Sequence, residues 1–513
     1  MEIDFAQLDS SAAGSDLLRA RICIVGAGIA GLTLAHKLVA LGHDVLILEA
    51  GGRAPEAFDP VQQGGYPHPG TSEPRPCALG GTSLTWGGQL LPFPRGDSSW
   101  PVSASHLAQF TAEAEHLLAV DQLPYSGAEF FQRIHKPVPL LVNQLPGIEA
   151  SLSKFTPFSH RNLAHTIGRQ LRAHRKARVV VNSPVVELVS SPTQNQIKAV
   201  LVRTPSGRTH CIEVAQVILA AGTIETVRLL LASRSVAHDG IGNQHDRVGR
   251  NFHDHLTITA ASAHEPARTR LLAAARPWIY DGTLHSLKLS AGPDLRCELQ
   301  LTHILAHLTI DEPDVSGIGT LRSLLRARQQ NNFTSSLREA LPQLPRALAD
   351  GARLALSARI RHRRYVSSQA AVQLRLNAAQ RTPTASRITL SHDLRPVLDW
   401  CIDPVELGTL RAFAQHLRTH LTFAGLEWDP ALLQLDLAAP IPNIDDARHA
   451  MGGACMGTDP HASVVDPDLR VHGIQNLFIA SAAVFPDGSP QLPTLPLMAL
   501  TLRLAGHLHK LTQ

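Results

Sequence analysis

Arg21-Ile-Cys-Ile-Val-Gly-Ala-Gly-Ile-Ala-Gly31, followed by Asp44-Val-Leu-Ile-Leu-Glu49, is the stretch that decides the fold. Residues 21–25 form a short apolar run that suits a strand buried on both faces. Gly26-x-Gly28-x-x-Gly31 then opens a helical stretch, 30–41, that ends at Gly42. Residues 44–48 read as a second buried strand, which completes a β-α-β unit. In such a unit the first glycine permits the turn, the second admits a pyrophosphate and the third lets helix and strand approach. The helix N-terminus, with Ile29 and Ala30, offers unpaired N–H groups to phosphate. Glu49 lies about 20 residues on, where a ribose ligand is expected. The unit predicts a bound dinucleotide and by itself does not separate FAD from NAD.

Working outward, 179–188 and 217–221 read as further strands of the same region, the latter followed by a helix near 225–232. Between about 255 and 440 the pattern changes: Val372, Leu374 and Leu376 alternate with polar residues, and 387–390 repeats the habit. The expected class is therefore α/β, a Rossmann-like domain with a second α+β domain on a mostly antiparallel sheet. Residues 1–18 read as a loose leader. An Arg-rich stretch, 321–365, reads as solvated helices broken at Pro342 and Pro345, with a membrane-surface or partner-binding helix as the alternative. The 513 residues, 44% hydrophobic and 18% charged with net charge +4, describe an ordinary globular chain and give no reason to expect nucleic acid. No run approaches the roughly 20 apolar residues of a membrane span. Six cysteines without C-x-x-C or zinc spacing, and no basic-then-apolar leader, point to a reduced, cytoplasmic setting and no metal.

Several further stretches carry a family resemblance. Glu49-Ala-Gly-Gly-Arg53, the loop Leu79-Gly-Gly-Thr-Ser-Leu-Thr-Trp-Gly-Gly88, Ala220-Ala-Gly-Thr-Ile-Glu-Thr226 and Val248-Gly-Arg-Asn-Phe-His-Asp-His255 follow one another in order. Ser386-Arg-Ile-Thr-Leu390, His449-Ala-Met-Gly-Gly-Ala-Cys-Met456, Val484-Phe-Pro486 and Pro493-Thr-Leu495 complete the series. Together they resemble the glucose–methanol–choline (GMC) oxidoreductases over roughly 20–100, 160–260 and 380–513. The loop at 79–88 is closer to the sugar-oxidising, pyranose-oxidase-like branch than to the choline branch.

The resemblance implies FAD, held by Gly26, Gly28, Ile29, Ala30, Gly31, Glu49, Ala50 and Arg53 of the first unit. It adds Gly80, Gly81, Thr82, Ser83, Thr85, Trp86 and Gly87 of the loop. Val186, Ala221, Gly222, Ser481, Ala482, Pro493 and Thr494 complete the implied cofactor set. Residues 1–105, 160–260 and 441–513 would form the FAD domain, and 261–440 with part of 106–159 the substrate domain. The implied reaction oxidises an alcohol or sugar hydroxyl by hydride transfer to flavin N5, with His449 as general base. Three departures stand out. Leu492 replaces the usual Asn or His beside the substrate oxygen and can neither donate nor accept, which directs attention to its neighbour Gln491. Ser481 and Ala483 depart from the usual flavin-contact residues. No histidine stands at Leu84, Thr85 or Trp86, so covalent histidyl attachment is not expected and FAD is read as non-covalent. His253, His255 and His472 are read as hydrogen-bonding or surface positions. A non-redox lyase or isomerase of the same fold is the rival reading. The electron acceptor is not written in the sequence.

Overall fold

A computed structural model describes the chain except for residues 1, 6–19, 59, 74, 94–98, 205, 330–332, 423–424 and 435–440 and the side chains of 57, 328–329 and 333–336. The Gly-rich turn sits at the centre of an eight-stranded sheet. Strands Ala20–Val25 and Val45–Leu48 are parallel neighbours joined by helix Ile29–Ala40. Val45, Leu46, Ile47 and Leu48 are all buried, as their unbroken apolar run requires of a strand covered on both faces. Ala177–Val181 extends the parallel sheet beyond Val45–Leu48. On the other side, Thr209–Leu219 pairs parallel with Ala20–Val25 and with the late strand Leu477–Ile479. The C-terminal part of the chain thus returns to the first domain.

Two expectations are corrected here. Residues 2–5 are no loose leader: Glu2–Asp4 is an edge strand parallel to Ala177–Val181, and Phe5 is buried edge-on to His210. A three-residue strand is too short to show a period. The rest of the supposed leader, 6–18, lies outside the described residues. The stretch 179–188 is not one strand but two, Ala177–Val181 and Val185–Ser190, separated by Asn182 in the left-handed region at φ 55°.

The second sheet is antiparallel. Its order is Leu426–Trp428, His255–Ala263, Ala371–Ala379, Ile304–Asp311, Thr283–Ala291, Ile148–Phe155 and Gln89–Leu90. Its two faces differ in chemistry. One transverse row, Ile258, Leu376, Ala306, Leu289 and Ala150, is apolar. The next row, Thr259, Arg375, His307, Lys288 and Ser151, is polar and faces the opposite way because side chains alternate along a strand. Helix Pro404–His420 packs on strands of this sheet, with a complete capping box at Asp403 and Glu406. Strand Arg387–Leu390 pairs instead with Pro396–Asp399, and that strand with Gln62–Gln63, in a small separate sheet.

The turn's glycines separate packing from binding. A Cβ on Gly31 would lie 2.0 Å from the Gly26 carbonyl oxygen, whereas a Cβ on Gly28 would meet no atom within 4 Å. Gly31→Ala is therefore expected to lower stability by about 1–3 kcal/mol, the cost of overpacking. Gly28→Ala should leave the apo-protein within about 0.5 kcal/mol of the parent yet lose dinucleotide binding. Urea unfolding of apo-protein with nucleotide titration checks both; equal stability losses would refute the distinction.

Candidate active site

The cradle is built at the carboxyl ends of the parallel strands. Glu49 is buried, and its two oxygens accept from Ala27 N (2.7 Å) and Gly51 N (3.0 Å). Burial pushes its carboxyl up to about 7, against the pull of the Gly51, Ala27 and Ala50 N–H groups. A carboxylate has about four acceptor positions, so acceptor capacity remains for a ribose hydroxyl. The 80–88 loop lies directly on the turn: Gly80 N donates to Ala27 O at 2.9 Å, and Gly81 approaches Gly28 closely. Ser83 is committed to this packing, donating to Gly80 O and accepting from Leu163 N. Trp86 Nε1 donates to Arg161 O, while Thr82, Thr85 and Gly87 are exposed along the loop.

The other expected cofactor residues gather from distant segments. Ala220 N donates to Val25 O at 2.7 Å, which sets Ala221 and Gly222, the start of helix Gly222–Ala232, beside the first turn. Val186 lies at a register shift: Val185 and Glu187 have ladder partners and Val186 has none. Ala480 N donates to Leu219 O, bringing Ser481 and Ala482 to the same sheet edge. Pro493 and Thr494 open helix Thr494–Leu511, which packs on helix Ile29–Ala40. Arg53 points elsewhere and pairs with Glu2.

His449 sits on a turn pinned from three directions. Its N–H donates to Asp254 Oδ2 at 2.7 Å. Thr223 Oγ1, in the first turn of helix Gly222–Ala232, donates to Ala450 O at 2.6 Å. Met451 exchanges two backbone hydrogen bonds with His253, and Gly452 N donates to Ala482 O. The ring is half-buried. Nδ1 is enclosed without a partner among the described residues, which leaves Nε2 as the nitrogen toward open space. The fully buried His255 ring stands 5.1 Å from it at 63°. Burial, and then the neighbouring His449, push His255 down to about 3. Burial also lowers His449, against the opposing Asp254 charge. Both rings are therefore neutral near pH 7.

Beneath this turn lies a network the sequence did not announce. Buried His68 has Nε2 3.3 Å from Asp254 Oδ2 and Nδ1 3.2 Å from Asp446 Oδ2. Asp254 Oδ1 accepts from His255 N, and Asp446 accepts from Gly70 N and Arg448 N. Phe252 and Trp400 meet the His68 ring edge-on. Burial opposes its charge, but the two carboxylates prevail and raise its pKa. Burial pushes Asp446 up; Asp254, despite burial, is held down by His68. Asp254, His255 and His449 bring possible ligand atoms within 4.8 Å of one another, as do His68, Asp254 and Asp446. The His68 contacts are ion-pair lengths, well beyond the about 2.0–2.2 Å of zinc ligation. No sequence signal marks His68, since 64–69 has no period.

The polar sheet face continues from His255 through Thr257 and Thr259. Thr257 Oγ1, Asn377 Oδ1 and His307 Nδ1 are buried without partners among the described residues. Lys288 is buried, has no ionic or hydrogen-bonding partner among them, and is pushed by burial down to about 7. A cavity of about 630 Å³ touches Thr257, Thr259, Arg375, Trp428 and Asp445. Gln491 is buried with Oε1 accepting from Ser489, and Leu492 beside it is half-buried. His253 bonds to Asn251 O and His472 to Ser463, both in packing roles.

Residues 161–257 and 382–501 match the family described as GMC oxidoreductase, and residues 24–69 match the NAD(P)-binding Rossmann-like domain. The fructose dehydrogenase large subunit of Gluconobacter japonicus is 24% identical, over 96% of this chain and 98% of that one. Two solved structures share the fold. Pyridoxine 4-oxidase from Mesorbium loti has a TM-score of 0.58 at 17% identity, and a fungal aryl-alcohol oxidase 0.57 at 16%. Each comparison covers 96% of this chain and 99% of the other.

The His68 clamp has a definite pH signature. A histidine whose folded pKa is raised adds stability that is complete below its unfolded value, about 6.5, and is lost as pH rises through the folded value. His68→Gln is expected to cost about 3 kcal/mol at pH 6, the scale of a broken buried ion pair, and less at pH 9. Urea unfolding of parent and variant at both values measures the difference; a cost that grows with pH would contradict the charged clamp.

Proposed function

We propose that this chain, which belongs to the GMC oxidoreductases, uses His449 as the general base in oxidising a hydroxyl of a small alcohol or sugar. The family makes it an FAD-dependent oxidoreductase acting on CH–OH groups. The open space at Gly28, the free acceptor positions of Glu49 and the unpaired ladder position of Val186 fit an adenine dinucleotide. In this reading residues 1–105, 160–260 and 441–513 hold the cofactor, and 261–440 with part of 106–159 present the substrate. When bound, FAD supplies the hydride acceptor, N5. Attachment is non-covalent: no histidine, cysteine or tyrosine stands at 79–88, and burial pushes the nearby Cys77 thiol up to about 12.

The observation that carries the reading is the His449 turn, tied through Thr223 to the cofactor helix and through Asp254 to the substrate sheet. A neutral Nε2 facing open space can take the hydroxyl proton. The Asp254 carboxylate then stabilises the imidazolium so formed. His255 stays neutral behind it and places no competing positive charge there. Leu492 offers the substrate oxygen no hydrogen bond, and Gln491, its one amide oxygen taken by Ser489, has only its amide N–H groups to offer. Holding the substrate therefore falls to His449, the Gln491 amide N–H groups and the polar sheet face, whose unpartnered groups suit a molecule with several hydroxyls. The name of the Gluconobacter relative, a fructose dehydrogenase subunit, supports the sugar lean. The absence of any paired cysteine supports a cytoplasmic setting.

His449→Ala should retain FAD, which acid releases from parent and variant alike, while flavin reduction under anaerobic stopped flow slows about 10²–10⁴-fold. Reduction at the parental rate would remove His449 from this role.

A further inference from the structure

The helical segment between strands Ile304–Asp311 and Ala371–Ala379 supplies none of the residues placed in the site above, although Arg326 and Arg364 lie near Arg161, whose carbonyl holds Trp86. Residues 317–365 carry ten arginines against two acids, Glu339 and Asp350, a formal +8 in a chain whose total is +4. Helix Leu344–Leu356 packs on helix Gly317–Gln329 through small or buried residues: Ala347, Asp350, and Gly351 against Leu321. Asp350 is buried and accepts from Arg353 and Tyr365. A π-helical turn, Ser357–Arg361, continues the rod.

Its outer face is the unexplained part. Leu341, Leu348, Leu356 and Ile360 are 56, 69, 61 and 67% exposed. They are four of the ten large apolar side chains exposed among the described residues, and all four fall between 341 and 360. The charged residues exposed among them are Arg346, Arg353, Arg359 and Arg361, and between 341 and 361 no acid is exposed. A second copy of the chain would set arginine against arginine across a two-fold axis. The face therefore suits a partner that is anionic and also accepts aliphatic side chains.

We propose that this face docks on the anionic headgroup surface of a lipid bilayer. Leu348, Leu356 and Ile360 enter the interface while the arginine stems snorkel and their guanidinium groups pair with lipid phosphates. In sequence the exposed apolar residues are interleaved with Arg346, Arg353, Arg359 and Arg361, whose aliphatic stems can lie along the same surface. The rod does not span: no helix among the described residues is long and apolar enough to cross a membrane. The segment joins the sheet where Asp311 pairs with Ala371, whereas His255 pairs with Ala379 at the other end of that strand.

Flotation of the FAD-loaded full chain with vesicles of phosphatidylcholine, alone or mixed with phosphatidylglycerol, tests this. The protein should float with the anionic vesicles at least about tenfold better than with the neutral ones, and raised salt should release it as the Debye length shrinks to about 3 Å at 1 M. Leu348→Glu combined with Leu356→Glu should lose that binding about tenfold while flavin content and turnover of soluble alcohols stay at parental levels. Should that variant lose flavin, Arg359→Gln with Arg361→Gln serves the same comparison. Failure to float with anionic vesicles at low salt would overturn the proposal, as would flotation unchanged in the variants. A parental dimer on gel filtration that the variants dissociate would assign the face to a second copy and also overturn it.

Discussion

One buried carboxylate organises the site. Asp254 accepts from the backbone of His255 and of His449 and faces His68. A buried charge is tolerated only when its lone pairs are filled and an opposite charge is close. Those demands fix where 68–70 and 446–449 run, because His68 answers Asp254 on one side and Asp446 on the other. The His449 turn thus rests on an ion-paired floor, while the rings of His255 and His449 above it are neutral. That division explains how His449 can stay uncharged, as the proposed base must, although a carboxylate lies beneath it.

The two sheets divide the work by their chemistry. In the first, apolar runs bury both faces and leave the turn ends to contact a dinucleotide. In the second, alternation gives an apolar face that packs and a polar face on which Thr257 Oγ1, Asn377 Oδ1 and His307 Nδ1 have no partner among the described residues. Unpartnered buried polar groups oppose folding, and those on this face are the groups that the proposed substrate would satisfy. Strand His255–Ala263 links the two functions, since its first residue touches His449 and its later ones line the cavity.

Much of this was legible in the sequence because it depends on local order. The Gly26–Gly31 turn, the strand 45–48 and the strand 387–390 follow from spacing and apolar runs. Motif order announced the GMC family and located His449. What escaped depends on register and on long-range pairing. Glu2–Asp4 is a strand only because Ala177–Val181 offers an edge. Residues 179–188 read as one apolar strand because a single left-handed Asn182 leaves no mark in hydropathy. His68 was invisible, as its partners lie 186 and 378 residues further along the chain. His255 was read as an ordinary structural histidine, and only the fold sets its ring against His449.

The central claim is a redox reaction at the His449 face, with hydride leaving a carbinol carbon. Its most direct test is anaerobic mixing of the FAD-loaded protein with its best alcohol or sugar, unlabelled and deuterated at the reacting carbon. The account predicts bleaching of the flavin by both, with the deuterated substrate slower by about threefold or more, equivalent to at least about 0.6 kcal/mol of barrier. Substrate consumed while the flavin keeps its colour would contradict it and assign the fold to non-redox chemistry.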